Sequence, residues 1–540
     1  MKTCDLIVKC LENEGVKHIF GIPGEETLDL MDSLARSRID FVLVRHEQSA
    51  AFMADAYGRL TGKAGVCLAT LGPGATNLVT GVADAFLDRA PLVALTGQAQ
   101  LGRIHKESHQ YVNVVKNFET VTKWNTRIEV PDVVPEVVRK AFKVAETEKP
   151  GSVHLELPED VAALKVNRLY QTTIPPIRAR RSSPDRSSLR RSAELIEKSS
   201  NPVILAGNGV VRKNAALQLR KFAELFGIPV VTTFMGKGAI SAESHCSLGT
   251  LGLGKDRQIS DLFLNADLVI AIGYDLVEYS PGKWNPDADK KIIHIDFTTS
   301  EVDVHYVPEV EIVSDIRETL ELLEGMTSCN KKSEHIERLR EDLIETFERE
   351  GRIDSWPVRP QRVLYALRKV LASDDIVVSD VGMHKMWVAK FYPVCGNNTF
   401  LISNGFASMG FALPAAIAAK LLYPRKKVVA VCGDGGFLMN LQELETAVRL
   451  GLNIVVVVFN DGGYELIRWK SIRKFGTFKW LDFSNPDFVK LADSFGARGF
   501  TLTASESMEQ VLAEAFAQKG PVIIDVPIDY SGNELLHSLL

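Results

Sequence analysis

The feature that most constrains the fold of this chain is a series of short β-rich runs, each separated from the next by a stretch of helical periodicity. The runs are HIFGI, FVLVR, GVCLAT, PLVALTG and SVHLELP; then PVILAG, PVVTT, LVIAIG and KIIHID; and finally DIVVSD, KVVAVCGDGG, NIVVVVFND and GPVIIDVP. Strands that alternate with crossover helices form parallel sheets covered on both faces. The chain is therefore expected to be α/β, with three doubly wound parallel-sheet domains in series.

Two segments without this alternation separate the three series. Residues 171–191 read QTTIPPIRARRSSPDRSSLRR, where prolines, serines and arginines replace periodic hydrophobicity, so they predict a linker. Residues 331–360 are strongly charged at helical spacing, which is typical of a solvated helix that bridges domains. The predicted domains are residues 1–170, 192–330 and 361–540.

Charge and cysteine usage exclude several classes of partner. The net charge of −5 provides no basic field for nucleic acid or an anionic membrane, and the arginines of the linker lack interleaved aromatics. The longest apolar stretch, residues 406–422, is interrupted by polar residues and is too short for a membrane span. Seven scattered cysteines without a CxxC pair predict free thiols in the cytoplasm. A small-molecule substrate is the expected partner.

The strongest chemical signal lies at the ends of two apolar strands. Gly433, Asp434 and Gly435 end one strand, and Asn460-Asp461 end the next after 24 intervening residues. Carboxylate oxygens at one edge of a parallel sheet, together with a backbone carbonyl of the following glycine turn, suit Mg²⁺ and a bound phosphate. A helix expected over residues 441–450 would point its positive end at that phosphate. A GDG turn alone commonly just joins a strand to a helix.

A second constellation lies in the first series of strands. Arg45-His46-Glu47 follows the strand FVLVR, GIPG spans residues 21–24, and ATLGPGATN spans residues 69–77. Because the carboxyl ends of parallel strands meet at one edge, these three segments are expected to converge. For a lone glutamate, a salt-bridged surface position would be the simpler explanation.

These motifs together resemble those of thiamine-diphosphate-dependent enzymes, and the resemblance covers almost the whole chain. The family signature is GDG followed at similar spacing by NN, where this chain has Asp461 with the same ligand atom, and its pyrimidine-binding half carries FGIPG, RHEQ and GPGATN. The resemblance implies thiamine diphosphate and Mg²⁺ as cofactors. It also implies that Glu47 contacts N1′ of the aminopyrimidine and promotes removal of the thiazolium C2 proton.

The same resemblance assigns residues to the site. The implied catalytic residues are Glu47, Gln110 and Gly24. The implied cofactor-binding residues are Pro23, Gly24, Glu47, Thr70, Pro73, Asn77, Val381, Gly382, Met383, His384, Ala407, Met409, Gly433, Asp434, Gly435, Gly436, Asp461, Gly463 and Tyr464. The implied metal ligands are Asp434, Asp461 and Gly463, and the implied substrate contacts are His109, Gln110, Trp469 and Lys470. For Met409 a core position is the alternative, for His109 a packed loop position, and for Trp469 and Lys470 a packed aromatic beside a solvated lysine.

Within the family the chain is most similar to acetolactate synthases of the catabolic, FAD-independent type. Residues 108–124 (SHQYVNVVKNFETVTKW) and 435–454 (GGFLMNLQELETAVRLGLNI) carry this similarity. Residues 272–285 read IGYDLVEYSPGKWN where flavin-binding relatives have a GARFDDR-like stretch, so neither FAD nor a regulatory subunit is expected. The implied reaction is decarboxylation of pyruvate and ligation to a second pyruvate. The alternatives are another 2-oxo acid or aldehyde acceptor, and a non-catalytic homologue.

Two departures leave the acceptor open. Catabolic relatives commonly have a lysine soon after GIPG, whereas this chain has Glu25-Glu26, and residues 464–476 (YELIRWKSIRKFG) differ from both subfamilies. The resemblance further implies that Glu47 of one subunit and Asp434 of another complete each site. A homodimer is then the minimal unit, and a homotetramer is common in relatives.

Overall fold

The computed structural model describes residues 1–177, 181–252, 257–534 and 536. Its helices and strands follow the three series expected from the sequence. The first series consists of α1 (Thr3–Glu14), β1 (His18–Gly21), α2 (Leu28–Ala35), β2 (Asp40–Leu43), α3 (Glu47–Thr61), β3 (Gly65–Ala69), α4 (Pro73–Leu87), β4 (Leu92–Gln98), α5 (Val114–Phe118), β5 (Trp124–Arg127), α6 (Val134–Glu146), β6 (Ser152–Pro158) and α7 (Glu159–Ala163).

The central and third series repeat the alternation of strands and helices. The central series consists of α8 (Arg186–Lys198), β7 (Pro202–Ala206), α9 (Asn208–Arg212), α10 (Ala216–Phe226), β8 (Val230–Thr233), β9 (Ser247–Leu251), α11 (Arg257–Leu264), β10 (Leu268–Ile272), β11 (Lys291–Asp296), β12 (Val310–Val313) and α12 (Ile316–Glu324). The charged helix α13 (Glu334–Gly351) follows. The third series consists of α14 (Pro360–Val370), β13 (Ile376–Ser379), α15 (Met383–Phe391), β14 (Phe400–Ile402), α16 (Ala412–Leu422), β15 (Val428–Gly433), α17 (Asp434–Asn440), α18 (Glu443–Arg449), β16 (Val455–Asn460), α19 (Glu465–Phe475), α20 (Phe488–Phe495), β17 (Arg498–Thr501), α21 (Met508–Ala517) and β18 (Val522–Pro527).

The strands form three six-stranded sheets in the described part of the chain, and every strand pair within them is parallel. The strand orders are β2-β1-β3-β4-β6-β5, β12-β11-β10-β7-β8-β9 and β14-β13-β15-β16-β18-β17. Strands such as β4, β7 and β16 are buried almost throughout, as expected when helices cover both faces of a sheet. The predicted α/β class is confirmed.

The predicted linker over residues 171–191 needs a correction at its end. Residues 171–177 have no regular structure, and residues 178–180 lie outside the described residues. Helix α8 begins already at Arg186, because the Asp185 carboxylate accepts hydrogen bonds from the backbone N–H groups of Ser187 and Ser188. The Ser-Arg composition therefore hid a capped helix start.

The chain divides into two compact units. Unit 1 comprises residues 1–179, 405–424 and 439–452, and unit 2 comprises the remaining residues. Unit 1 thus combines the first sheet with α16 and α18 from the third series, whereas unit 2 contains the second and third sheets. The boundaries of the three domains stay predictions.

A buried ionic network stabilises unit 1. The Arg59 guanidinium lies 2.5 Å from a carboxylate oxygen of Asp55, 2.6 Å from one of Asp88 and 3.5 Å from one of Asp84. All three carboxylates are fully buried. Asp88 also accepts a hydrogen bond from the backbone N–H of Gly405, which ties the segment after residue 404 to the end of α4. Buried charges of this kind are retained when each has a partner.

Within the described residues, no helix is both long enough and apolar enough to cross a bilayer.

Candidate active site

In unit 1, three polar turns leave the first sheet at the same edge. Gly21 of β1 is in register with Leu43 of β2 and with Leu68 of β3, and all three strands are parallel. The segments GIPG, RHE and TLGPG therefore begin side by side, which confirms their predicted convergence.

Glu47 is the first residue of α3 and is only 8% exposed. Its Oε2 accepts a hydrogen bond of 3.0 Å from Nδ2 of Asn77 on α4. A Cβ on Gly74 would lie 3.3 Å from Glu47 Oε1, so this glycine leaves room beside the carboxylate. The helix starts here because the His46 imidazole accepts the N–H of Gln48 and caps the first turn.

A second carboxylate fixes the turn that carries Glu47. Glu443 on α18 is fully buried, and its Oε1 accepts hydrogen bonds from the backbone N–H groups of Arg45 (3.0 Å) and His46 (3.1 Å). Its Oε2 accepts a hydrogen bond of 2.6 Å from Thr446. Burial raises the pKa of Glu443. The two N–H groups that precede Glu47 thus depend on one side chain.

The remaining turns of unit 1 are tightly packed against each other. A Cβ on Gly24 would lie 2.4 Å from the Thr70 side chain, and Thr70 donates a 2.7 Å hydrogen bond to Glu26. A Cβ on Gly72, whose φ is +54°, would lie 2.5 Å from the carbonyl oxygen of Gln110. Only glycine tolerates both the approach and the dihedral angle. Gln110 is therefore brought beside the GPG turn, although it is far away in sequence.

The other predicted residues of unit 1 are largely accessible. Pro23, Pro73, His109 and Gln110 are exposed, whereas Thr70, Asn77 and Met409 are half-buried. Gln110 and Ala407 have φ values of +58° and +57°, in the left-handed region that non-glycine residues rarely adopt. Backbone strain of this kind concentrates at functional sites.

In unit 2, Asp434 lies at the carboxyl end of β15 and is 1% exposed. Its Oδ1 accepts a hydrogen bond from the N–H of Gly435 (2.7 Å). Its Oδ2 accepts from the N–H of Gly462 (2.8 Å) and from Nδ2 of Asn485 (2.7 Å). The carboxylate therefore joins the two strand-end turns that the GDG and Asn-Asp motifs predicted to share an ion.

Asp461 is the least satisfied of these carboxylates. Its buried Oδ2 has no hydrogen-bond partner among the described residues and lies 3.5 Å from the Arg468 guanidinium. Burial, followed by the negative charges of Asp434 and Glu465, raises the pKa of Asp461 to about 8. A divalent cation between Asp434 and Asp461 would remove this repulsion. The residues present therefore fit the implied Mg²⁺.

The other oxygen atoms near Asp434 and Asp461 suit a hard cation that takes some of its ligands from water or phosphate. The buried Oδ1 of Asn485 has no hydrogen-bond partner among the described residues. In that same part of the chain, no group of three or more His, Cys, Asp or Glu side chains could hold a metal. Mg²⁺ commonly takes one or two carboxylates and fills its remaining positions with water and phosphate oxygens.

A neutral histidine lies beside the metal turn. His384 is 2% exposed, and burial lowers its pKa to about 3. Its ring is so close to Gly382 and Gly433 that a Cβ on either would lie 2.9 Å from a ring atom. Its Nε2 has no hydrogen-bond partner within the described structure. The ring nitrogen is therefore available to a group that enters this crevice.

The other predicted residues of unit 2 differ in how deeply they are buried. Val381, Gly433, Gly435 and Asp461 are half-buried, Tyr464 is 39% exposed, and Gly436 and Gly463 are buried. The Met383 side chain belongs to the hydrophobic core, so only its backbone can face a diphosphate. Trp469 packs against that core on α19, with Arg473 5.0 Å from its ring, while Lys470 is exposed. These two placements match the packed aromatic beside a solvated lysine.

The helix expected over residues 441–450 is present as α18, and the direction of its positive end toward a phosphate stays a prediction. Helix α17 begins at Asp434 itself, and a separate α18 begins at Glu443. The glycines that follow Asp434 looked like a loop, but the Asp434 carboxylate satisfies the first free N–H and starts the helix at once.

Three residues of the site carried no recognisable signal. Asn485 lies in the loop before α20, Glu443 is one of many glutamates in a helical stretch, and Asp380 precedes the predicted Val381. A Cβ on Gly436 would lie 3.3 Å from the carboxylate oxygens of Asp380. Only their packing against the motifs identifies them.

Comparison with known families agrees with this arrangement. The profile described as "Thiamine pyrophosphate enzyme, N-terminal TPP binding domain" matches residues 1–117. The corresponding central-domain profile matches residues 189–323, and that of the C-terminal TPP binding domain matches residues 380–526. The central match spans all six strands of the second sheet, the first match spans β1 to β4 of the first sheet, and the third match spans the third sheet from β14 onward.

Curated relatives are similar over nearly the whole chain. An acetolactate synthase of Bacillus subtilis is 35% identical over 98% of this chain and 93% of the relative. A protein named "Acetolactate synthase, catabolic" from Raoultella terrigena is 36% identical, over 98% and 96%. The acetolactate synthase isozyme 3 large subunit of Escherichia coli is 32% identical, over 98% and 95%.

The role of Glu443 can be tested by stability. The change Glu443→Ala leaves the buried N–H groups of Arg45 and His46 without an acceptor, so we expect it to lower the free energy of unfolding by about 2–4 kcal/mol. Urea denaturation measures this. Glu445→Ala on the same helix is the control; it removes only an exposed pair with Arg449, which is worth about 0.5 kcal/mol. Equal losses for both variants would contradict the role of Glu443.

Proposed function

The chain belongs to the thiamine pyrophosphate enzymes, in the acetolactate synthase family, and we propose that it converts two molecules of pyruvate into 2-acetolactate and CO₂. The observation that carries this proposal is the hydrogen bond between buried Glu47 and half-buried Asn77 at the polar edge of the first sheet. A carboxyl group held there by a neutral amide is positioned to exchange a proton with a bound aminopyrimidine.

Thiamine diphosphate supplies the electron sink that a 2-oxo acid needs to lose CO₂. The chain's own residues do the rest. We propose that Glu47 holds a proton at N1′ of the pyrimidine, and that Asp434, Asp461 and the carbonyl of Gly463 hold Mg²⁺ at the diphosphate. His384, whose Nε2 is unsatisfied in the described structure, lies beside the Gly433 turn, and we propose that it contacts the diphosphate.

The direct test is turnover of pyruvate by the purified protein with thiamine diphosphate and Mg²⁺ but without FAD. We expect one acetolactate for each CO₂ released. CO₂ without acetolactate would reject the second pyruvate as acceptor. Other acceptors would then be tested, since Glu26 follows GIPG in a region where catabolic relatives commonly have a lysine. No turnover of any 2-oxo acid would reject the enzymatic assignment.

The change Glu47→Gln tests the mechanism within the same assay. It keeps the hydrogen bond to Asn77 but removes the ionisable proton, so we expect turnover to fall by roughly 10²-fold or more. Binding of thiamine diphosphate, followed by calorimetry, should change little. Glu136→Gln is the matched control, because Glu136 is exposed on α6 and belongs to none of the site motifs. Unchanged turnover in Glu47→Gln would remove Glu47 from the mechanism.

We propose that the activity does not need FAD, and the crevice of the central sheet supports this proposal. Its strand order places the topological switch point between β7 and β10, where dinucleotides bind in such folds. Glu278 binds the turn that follows β7: its two carboxylate oxygens lie 3.0 and 3.1 Å from the backbone nitrogen of Asn208, and they also accept hydrogen bonds from the backbone N–H of Asp275 and the Thr233 hydroxyl. A buried carboxylate thus takes the N–H groups that a pyrophosphate would need.

We expect the purified protein to show no flavin absorbance and added FAD to leave turnover unchanged. Fluorescence titration of FAD measures this, with quenching as the sign of binding. Saturable quenching at one flavin per chain would contradict the role of Glu278.

We propose a homodimer as the minimal active unit, because the resemblance to thiamine-diphosphate enzymes implies that Glu47 of one subunit and Asp434 of another complete each site. Complementation tests this arrangement. A hybrid dimer of one Glu47→Gln chain and one Asp434→Asn chain contains one intact site if each site draws on both chains. We expect purified hybrids to regain about half of the wild-type rate, because one of two equivalent sites is restored. Hybrids as inactive as the parent variants would show that each site lies within one chain.

We further propose that the chain acts without a regulatory subunit and in the cytoplasm. No regulatory subunit is proposed, although the Escherichia coli relative is named a large subunit. All seven cysteines are free thiols, which supports a reducing cytoplasm.

A further inference from the structure

Unit 2 contains a cavity whose lining includes none of the residues assigned to the proposed active site. Its volume is about 190 Å³. It lies between the segment that follows β8, helix α13 and the C-terminal half of α15. Phe347, Phe391 and Trp387 form one wall; the rings of Phe347 and Phe391 are 5.1 Å apart, and those of Trp387 and Phe391 are 6.4 Å apart. An apolar space of this size admits a small organic molecule.

The charge of the lining is one-sided. Lys237, Arg340 and Lys390 line the cavity, and no aspartate or glutamate is among the described lining residues. Lys237 is 7% exposed, and its ammonium group has a 3.3 Å hydrogen bond to Thr250. Arg340 donates a 3.0 Å hydrogen bond to the carbonyl of Glu243. The Lys237 ammonium group also lies 5.9 Å from the centre of the Phe400 ring, so these contacts of the two cations are all with uncharged groups.

Burial alone lowers the pKa of Lys237 to about 7, and no nearby charge offsets it. A buried ammonium group is costly unless an anion accompanies it. Buried Arg59 has carboxylate partners in unit 1, whereas no carboxylate of the described residues lies within ion-pair distance of Lys237. Lys237 therefore presents a cation to the cavity with which the anionic group of a ligand can pair.

We propose that this cavity is a binding site for a small organic carboxylate with an aromatic or branched apolar body. The carboxylate of the ligand pairs with Lys237 and Arg340, and its apolar body packs on the wall formed by Phe347, Phe391 and Trp387. A neutral apolar molecule would leave Lys237 unpaired, and an inorganic anion would not fill the apolar space.

The probe for this site is 4-fluorophenylacetate, with the neutral 4-fluorophenylacetamide as its matched isostere. Both are titrated against the full chain saturated with thiamine diphosphate and Mg²⁺, and binding is followed by fluorine NMR. We expect the carboxylate to bind roughly tenfold or more tightly than the amide, because the charge-assisted contact is lost in the amide. Equal affinities would overturn the proposal, as would crystallographic density for the probe only at the thiamine site.

Two variants localise the binding. Lys237→Met keeps the length of the side chain and removes its charge, so it should lose the preference for the carboxylate while still binding the amide. Leu343→Trp, on α13, fills the cavity and should abolish binding of both probes. Lys369→Met is the control; this lysine pairs with Glu348 outside the cavity. Unaltered carboxylate binding in Lys237→Met would overturn the assignment.

The pH dependence gives an independent readout. Lys237 is charged below its pKa of about 7 and loses its proton above it, so carboxylate affinity should fall as the pH rises through 7. Among the other groups that line the cavity, Arg340 stays charged, and burial raises the pKa of Tyr392 so that its phenol stays neutral; Lys390 is the remaining lining lysine. A flat profile for the carboxylate between pH 6 and 9, like that expected for the amide, would contradict the role of Lys237.

Discussion

Parallel pairing in register is the constraint on which the rest of this structure depends. When neighbouring strands run in the same direction, their carboxyl ends lie at one edge, and each turn that leaves the sheet must share that edge with the next. Gly21, Leu43 and Leu68 are aligned in this way in the first sheet, and Gly433 and Phe459 in the third. The polar turns of the candidate site are assembled by this alignment, before any side chain contributes.

The backbone N–H groups at these turns have to be satisfied, and buried carboxylates do so in all three sheets. Glu443 accepts the N–H groups of Arg45 and His46, Glu278 accepts that of Asn208, and Asp434 accepts that of Gly462. In the first two cases the carboxylate completes the turn with protein partners alone. At the third turn Asp461 remains beside Asp434, and the pair retains a negative charge that a metal ion would neutralise.

Motif residues were recognisable because the chemistry limits both residue type and spacing. Glu47, Asn77, Asp434 and Asp461 could be located from the sequence, since each follows a strand in a short polar segment. Asn485 could not, because it reaches Asp434 from a loop more than fifty residues further along and belongs to no motif. Helix α17 was also missed, since a carboxylate cap at Asp434 overrides the low helix propensity of the adjacent glycines.

The sequence by itself determined the α/β class, the three series of strands and the identity of the turns that carry the chemistry, because periodicity and residue type are local properties. Only the tertiary structure decided which carboxylates support those turns and which one is left for a metal. It also decided that Glu278 accepts the N–H of Asn208 after β7 and that Lys237 is buried without an acidic partner among the described residues. Burial and pairing depend on contacts between residues far apart along the chain, and these arise only when the sheets and helices pack.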